Sequence, residues 1–177
     1  MDQTDTLFNG RYLRIRRHRH WEYAERTNAS AAVIILALTP DDCLLLVEQF
    51  RIPIDARGIE MPAGLVGDIQ DGESIEAAAL RELEEETGWR AGRIQYLMSG
   101  PSSSGMSNEV VAFVRARDLV RVGAGGGDES EDIRVHEVPR AEVPAWLSAR
   151  LAEGYSIDPK LYAGLWFLDR NPDGSPA

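Results

Sequence analysis

A chain of 177 residues carrying 29 acids against 19 bases has a formal charge of −10 and a pI near 4.8. That is one domain's worth of chain, and its charge argues against general nucleic-acid or anionic-membrane binding, since both rest on a basic surface. At 44% hydrophobic and 27% charged, the chain lies away from the compositions that stay disordered.

In chain order, residues 1–9 are polar and expected to be flexible, residues 10–170 read as a single domain, and 171–177 as a disordered tail. Arg11 to Arg26 reads as extended chain in which bulky residues (Tyr12, Ile15, Trp21, Tyr23) alternate with charge. Its arginines suit a solvated edge or a subunit contact better than a phosphate site. His18 and His20 share a strand face without a third ligand, so no metal is expected there.

The apolar runs Ala31 to Leu38 and Cys43 to Phe50 flank the turn-rich Thr39-Pro40-Asp41-Asp42 and predict a buried hairpin. The longest of these runs is too short to span a bilayer, and the N-terminus has no signal-peptide pattern. Cys43, the one cysteine, permits no intrachain disulfide and should pack as a small hydrophobe, so a cytoplasmic location is expected.

Arg51 to Gly72 should be mostly loop with a short strand near Ile59 to Met61. Ser74 to Thr87 holds strong helix formers and stops at Gly88. Ile94 to Met98 and Val110 to Arg115 read as strands joined by the Ser- and Gly-rich stretch 99–108. Gly123 to Asp132 reads as a loop, Ile133 to Val138 as a strand, and Glu142 to Glu153 and Pro159 to Asp169 as helices. This is a mixed α/β layer pattern.

The negative charge is concentrated. Residues 73–86 hold six Glu and one Arg, and residues 128–137 hold five acids and one Arg. On a helical wheel Glu82, Glu85 and Glu86 share a sector of about 100° beside an apolar flank of Leu80 and Leu83, while Glu84 points elsewhere. Carboxylates this close repel one another unless a cation sits among them. Hard oxygen donors suit Mg²⁺ or Mn²⁺, and the plain alternative is a solvated acidic face.

The wider spacing decides between these. Gly67, Glu73, Arg81, Glu82, Leu83, Glu85, Glu86 and Gly88 fit G-x5-E-x7-R-E-U-x-E-E-x-G-U, U being bulky and apolar, with Trp89 in the last place. Chance would produce such a match on the order of once in a million chains of this length. The pattern resembles the Nudix hydrolase family.

Val47-Glu48-Gln49-Phe50-Arg51, Glu60-Met61-Pro62-Ala63-Gly64, Ser104 to Glu109, Trp21-Glu22 with Arg26, and the Asp158 to Leu168 segment extend the similarity to the ADP-ribose pyrophosphatase branch over roughly residues 10 to 169. In that branch Pro-Ala-Gly normally supplies the motif's first glycine. Here Gly64 stands nine residues before Glu73, which implies three extra loop residues and leaves Gly64 and Gly67 competing for that place. The branch usually has Pro where Ser103 or Ser104 stands.

The resemblance implies a Nudix-like α/β/α sandwich with a mixed central sheet and an N-terminal antiparallel strand segment. It implies metal-dependent hydrolysis of the diphosphate linkage of ADP-ribose or a related nucleoside diphosphate sugar. A dinucleoside polyphosphate or damaged-nucleotide hydrolase, or a non-catalytic nucleotide-binding module, are the alternatives. Glu82 and Glu86, with Glu85 and the Ala63 carbonyl, are implied as ligands of Mg²⁺, with Mn²⁺ the other candidate ion.

Glu109 is implied as base or metal-linked carboxylate, against an ordinary strand-start Glu. Glu85 is a second catalytic candidate. Arg81 lies beside the cluster on the wheel and is expected to pair with Glu73 and hold the loop to the helix. Arg51 is expected at a substrate phosphate, with Glu60, Gly64 and Gly105 also in the substrate site, and Trp21 either stacks on the base or packs in core or interface. Relatives in the branch are homodimers whose N-terminal strands cross to the partner, so a homodimer is implied, and neither nucleic acid nor membrane is an expected partner.

Overall fold

Side-chain alternation in the two apolar runs builds the layers. The computed structural model describes residues 4–127 and 132–177. In strand β4 (Ala31–Ala37), Val33, Ile35 and Ala37 enter one buried cluster, while Ile34 and Leu36 enter another. Strand β5 (Cys43–Arg51) does the same, with Leu45 in the first cluster and Leu44 and Leu46 in the second. Burial on both faces is why both runs read as continuously apolar.

The first cluster is covered by helix α1 (Ile75–Thr87) through Ala78, Ala79 and Leu83. The second is covered by α2 (Val143–Ala152) and α3 (Pro159–Phe167) through Val143, Leu147, Leu161 and Phe167. The product is an α/β sandwich with mixed sheets, as the sequence implies.

The two runs do not form a hairpin. β4 lies in a sheet ordered β7-β4-β9-β8, where β7 is Ala63–Val66, β8 Trp89–Pro101 and β9 Val110–Arg121. β5 lies in a second sheet ordered β10-β5-β6-β11, where β6 is Ala56–Glu60, β10 Arg134–Pro139 and β11 Ser156–Ile157. Only the bridge Leu38↔Leu44 links the runs. The Thr39–Asp42 turn, with Asp42 at φ 56°, passes the chain from one sheet to the other. A run buried on both faces has no side-chain alternation to specify its neighbour, so the sequence pattern alone suggested the nearer partner.

Four further expectations change. Residues 4–9, expected to be flexible, form strand β1 (Thr4–Asn9), antiparallel to β2 (Leu13–His18), which pairs with β3 (Trp21–Arg26). The predicted single extended segment is therefore a hairpin turning at Arg19 (φ 57°). Its arginines are neutralised across the strands: Arg14 and Arg16 both bond Glu25, and Arg17 lies 3.9 Å from Glu22.

The tail is folded back by hydrogen bonds from the Asn171 amide to the Ser175 Oγ and the Pro176 carbonyl. Strands β8 and β9 run well beyond the predicted segments, because their outer residues are Arg-rich on the exposed face (Arg90, Arg93, Arg117, Arg121) and carry little apolar signal. Cys43 is half-buried at the start of β5. Among the described residues no helix is long and apolar enough to cross a membrane.

In the acidic window 128–137, residues 128–131 lie outside the described residues. Asp132 pairs with Arg57, and Glu137 accepts from Arg121 at 2.5 Å and from the Trp89 indole at 3.3 Å.

Candidate active site

Helix α1 is positioned at both ends by its own sequence. The Ser74 hydroxyl accepts from the Ala77 N–H at 3.1 Å, and Gly88 in left-handed geometry closes the last turn. With the Leu83 side of the helix in the core, Glu82 and Glu86 come to lie one turn apart and largely buried; Glu86 is 3% exposed.

The segment before the helix is pinned to these two carboxylates. The Ala63 N–H donates to Glu86 Oε2 at 3.0 Å. A Cβ on Gly64 would stand 1.9 Å from Glu82 Cδ, so only glycine allows this approach. Gly67, three residues later, takes φ +86° and donates its N–H to Glu73 Oε2 at 3.0 Å. The two glycines that compete in the sequence thus have separate tasks: Gly64 meets the helix, and Gly67 opens the turn that ends at Glu73.

Arg81 ties these parts together. Its Nε reaches Glu73 at 3.1 Å, its Nη1 reaches Glu82 at 2.8 Å and Glu85 at 3.3 Å, and its Nη2 reaches Asp68 at 3.3 Å and the Leu65 carbonyl at 3.2 Å. Burial alone would lower the Arg81 pKa, but Glu73 and Glu82 outweigh it and the guanidinium is held charged. The bond from Arg81 and the N–H of Gly67 likewise hold Glu73 below the usual carboxylate range against its burial. Glu82 differs: burial is the largest influence on it, Arg81 only partly offsets that, and its pKa is raised to about 7.

Glu82 and Glu86 open into a cavity of about 510 Å³, to which Ala63, Gly64 and Asp68 also contribute. Arg51 and Glu60, joined by two hydrogen bonds of 2.7 and 2.6 Å, and Gln49 also line it. Glu109, at the foot of β9, bonds Arg26 and borders the same cavity. Burial pushes the Glu109 pKa up, but Arg26 and Ser102 outweigh it and hold the group ionised, below its ordinary value.

Four candidates do not line this cavity. Glu85 is half exposed and its carboxylate lies 3.3 Å from Arg81. Trp21 is 51% exposed at the β2–β3 turn, edge-on to His20. Gly105 sits in the 102–109 loop, against Tyr23 and Ala24 of β3. Arg81 holds the site from behind without lining it. The cavity also contains residues that sequence reasoning passed over: Asp68, Asp158 and Lys160. Lys160 is the chain's only lysine. Its Nζ lies 2.5 Å from Asp158, which caps α3 by accepting the Lys160 N–H at 2.8 Å. A lone lysine beside an Asp-Pro helix start was the available signal.

Among the described residues no three acidic, His or Cys side chains converge on one point as a preformed metal cage. Mg²⁺ does not require one: it is held by one or two carboxylates together with water and phosphate oxygens. Glu82 and Glu86 supply that donor set, and the buried Glu82 carboxyl is the kind of group a cation would stabilise as carboxylate. The cavity therefore combines a hard-cation donor pair with the cationic side chains of Arg51 and Lys160, a lining that accommodates a phosphorylated anion.

Comparison with known proteins agrees with this construction. A "Methanol dehydrogenase activator" of Bacillus methanolicus is 28% identical over 84% of this chain and 82% of its own length. An "ADP-sugar pyrophosphatase" of Mus musculus is 36% identical over 82% of this chain and 72% of its own length. A crystal structure of an "ADP compounds hydrolase" superposes with a TM-score of 0.71 at 21% identity, covering 94% of this chain and 89% of that one, and shares the fold. The NUDIX domain model matches residues 28–160, which include every residue lining the cavity except Arg26, and the chain belongs to the NUDIX domain family.

Proposed function

We propose that the protein hydrolyses the diphosphate linkage of ADP-ribose or a related nucleoside diphosphate sugar, releasing a nucleoside monophosphate and a sugar phosphate. The observation that carries this reading is the pairing of Glu82 and Glu86, backed by Pro62-Ala63-Gly64, with Arg51 and Lys160 across one cavity. The kinship to an ADP-sugar pyrophosphatase supports it.

Glu82 and Glu86 would hold Mg²⁺, or Mn²⁺ in its place, with Ala63 contributing from the adjoining backbone; when bound, the ion neutralises the diphosphate and acidifies a water. Glu109, ionised and at the cavity border, accepts the proton of the attacking water. Arg51, held in orientation by Glu60, presents its remaining N–H groups to a phosphate, and Lys160 offers a second positive charge in the same cavity. Arg81 keeps the 65–73 loop against α1, so it is a positioning residue.

We also propose a homodimer, located in the cytosol, where a chain with a single cysteine needs no disulfide. The exposed Phe8, Tyr12 and Trp21 of the N-terminal sheet support association, because they present large apolar surface on thin strands. Trp21 lies outside its own cavity, so any stacking on a base would take place in the partner's. Sedimentation equilibrium tests the dimer.

Purified protein with Mg²⁺ should release AMP from ADP-ribose. Failure to release a monophosphate from ADP-ribose or from any of a panel of nucleotide sugars would reject the proposed activity.

A further inference from the structure

The glycine-rich segment Gly123-Ala124-Gly125-Gly126-Gly127, a loop by its sequence, is seated on the C-terminal end of helix α1. A helix leaves its last four carbonyls without partners of its own. Gly88 takes one of them, that of Glu84, at 2.9 Å. The loop takes the next two: the Gly127 N–H donates to the Glu85 carbonyl at 3.1 Å and the Gly126 N–H to the Glu86 carbonyl at 2.8 Å. Just past the helix, the N–H groups of Val122 and Gly123 both reach the Gly88 carbonyl, at 2.9 and 3.0 Å.

Contact this close requires glycine on both sides. A Cβ on Gly125 (φ +70°) would stand 2.4 Å from the Thr87 carbonyl carbon and 2.6 Å from the Glu86 carbonyl oxygen, and one on Gly88 (φ +73°) would stand 2.4 Å from the Gly123 carbonyl oxygen. These obstacles are backbone, which cannot swing aside as a side chain does. Gly88 in left-handed geometry would stop the helix unaided. The additional bonds fall instead on the two residues that carry the last carboxylates of the helix. Glu86 is therefore held at two points, its carbonyl by Gly126 and its carboxylate by the Ala63 N–H at 3.0 Å. Glu82, one turn earlier, has a separate hold in Arg81 Nη1 at 2.8 Å.

We propose that residues 123–127 are a positioning element for the cation site. By capping the Glu85 and Glu86 carbonyls they fix the last turn of α1, and through it the direction in which the Glu86 carboxylate enters the cavity. Gly125 sets the approach of the two backbones, and Gly126 makes the bond to Glu86. The assignment rests on the reading of Glu86 as a metal ligand given above.

The test titrates Mn²⁺ into metal-free protein without substrate, follows free Mn²⁺ by electron paramagnetic resonance, and runs circular dichroism and thermal unfolding in parallel. In Gly125→Ala the loop and the last turn must part by about 1 Å to bring 2.4 Å out to ordinary contact, and the Kd for Mn²⁺ should rise about tenfold, as when the outer support of a metal ligand is removed. Gly126→Ala meets no atom nearer than 3.9 Å but places a side chain at φ +112°, so it disturbs the Glu86 bond without driving the backbones apart. Its Kd should rise about threefold, and this milder variant decides the matter if Gly125→Ala does not fold. Gly123→Ala, which meets only the Gly88 Cα at 3.9 Å and keeps its N–H, should stay within about twofold of wild type. In a Glu86→Gln background either clamp substitution should change Kd by less than about twofold, because the carboxylate it orients is gone.

Folded Gly125→Ala or Gly126→Ala protein that loses thermal stability but keeps the wild-type Kd would overturn the proposal, leaving the loop a helix cap only. An undiminished effect in the Glu86→Gln background would do the same. Either result leaves the metal reading intact so long as Glu86→Gln by itself weakens Mn²⁺ binding. If Glu86→Gln binds Mn²⁺ as wild type does, that reading fails and the proposal falls with it.

Discussion

Gly64→Ala separates the chemistry of the site from the stability of the fold. The new methyl carbon would stand 1.9 Å from Glu82 Cδ and 2.1 Å from its Cγ and Oε1, where ordinary contact begins near 3.4 Å. The Glu82 carboxyl must therefore retreat by roughly 1.5 Å, and displacements of about 1 Å at a reacting centre cost on the order of 10² in rate. The obstacle is a side chain and not backbone, so the fold should absorb it at about 1–3 kcal/mol, a drop in Tm of roughly 2–10 °C.

The assays are AMP release from ADP-ribose and thermal unfolding with and without Mg²⁺. We expect kcat/KM to fall about 10²-fold and the Mg²⁺-induced rise in Tm to shrink, while the metal-free protein remains folded. Gly105→Ala, where a Cβ meets nothing within 4 Å, is the control and should stay within about twofold of wild type. Wild-type kcat/KM in Gly64→Ala would show that Glu82 has no fixed position in the reaction and would refute the reasoning.

Four further outcomes follow from the same geometry. Glu86→Gln keeps an oxygen for the Ala63 N–H but loses the charge, so Mg²⁺-dependent turnover should drop at least about 10²-fold in a folded protein, checked by circular dichroism and kinetics. Glu109→Gln should lower kcat by about 10²–10⁴ with KM little changed, as for removal of a proton acceptor; a change confined to KM would assign Glu109 to binding. Lys160→Met should raise KM for ADP-ribose about tenfold and kcat less, and equal KM values would remove Lys160 from the phosphate wall.

Glu82 titrates near 7 in the folded chain, above its ordinary 4.5, because burial disfavours its charge. The folded state therefore binds this proton more tightly than the unfolded chain, and the group's stabilising contribution is full below pH 4.5 and lost as pH rises through 7. Mg²⁺ competes with that proton. Its apparent affinity should fall about tenfold per pH unit below 7, measured by calorimetry in buffers of different ionisation enthalpy, and a pH-independent affinity would exclude Glu82 as a ligand.

Legibility in the sequence tracked how local each feature is. Helix α1 could be read because its cap Ser74, its stop Gly88 and its carboxylate spacing all lie within fifteen residues and obey one period. The partnership of Arg81 with Glu73 followed from the same wheel. The placement of β4 and β5 in different sheets could not be read, because a strand buried on both faces carries no mark of its neighbour. Lys160, Asp158 and Asp68 escaped notice for a related reason: each is unremarkable in its own segment, and only the convergence of strand ends, turn and helix start makes a cavity of them. Trp21 and Gly105 were assigned by resemblance, and the position of the N-terminal hairpin within one protomer does not bring either to the acidic cavity.

The distribution of charge explains how so acidic a helix folds and still leaves room for a cation. Were Glu73, Glu82, Glu85 and Asp68 left to one another, their repulsion would oppose closing the 65–73 loop on α1. Arg81 reaches all four and offsets that repulsion. One guanidinium cannot neutralise four carboxylates, and the deficit falls on the most buried of them that face the cavity: Arg81 holds Glu73 low, whereas Glu82 stays near 7. Glu86, beside it, receives an N–H dipole from Ala63. Glu82 and Glu86 thus line the same cavity as Arg51 and Lys160. A divalent ion held by Glu82 and Glu86 would offset their charge, so that the cavity, with Arg51 and Lys160 also in its lining, would attract a diphosphate that the chain's net charge of −10 would otherwise repel.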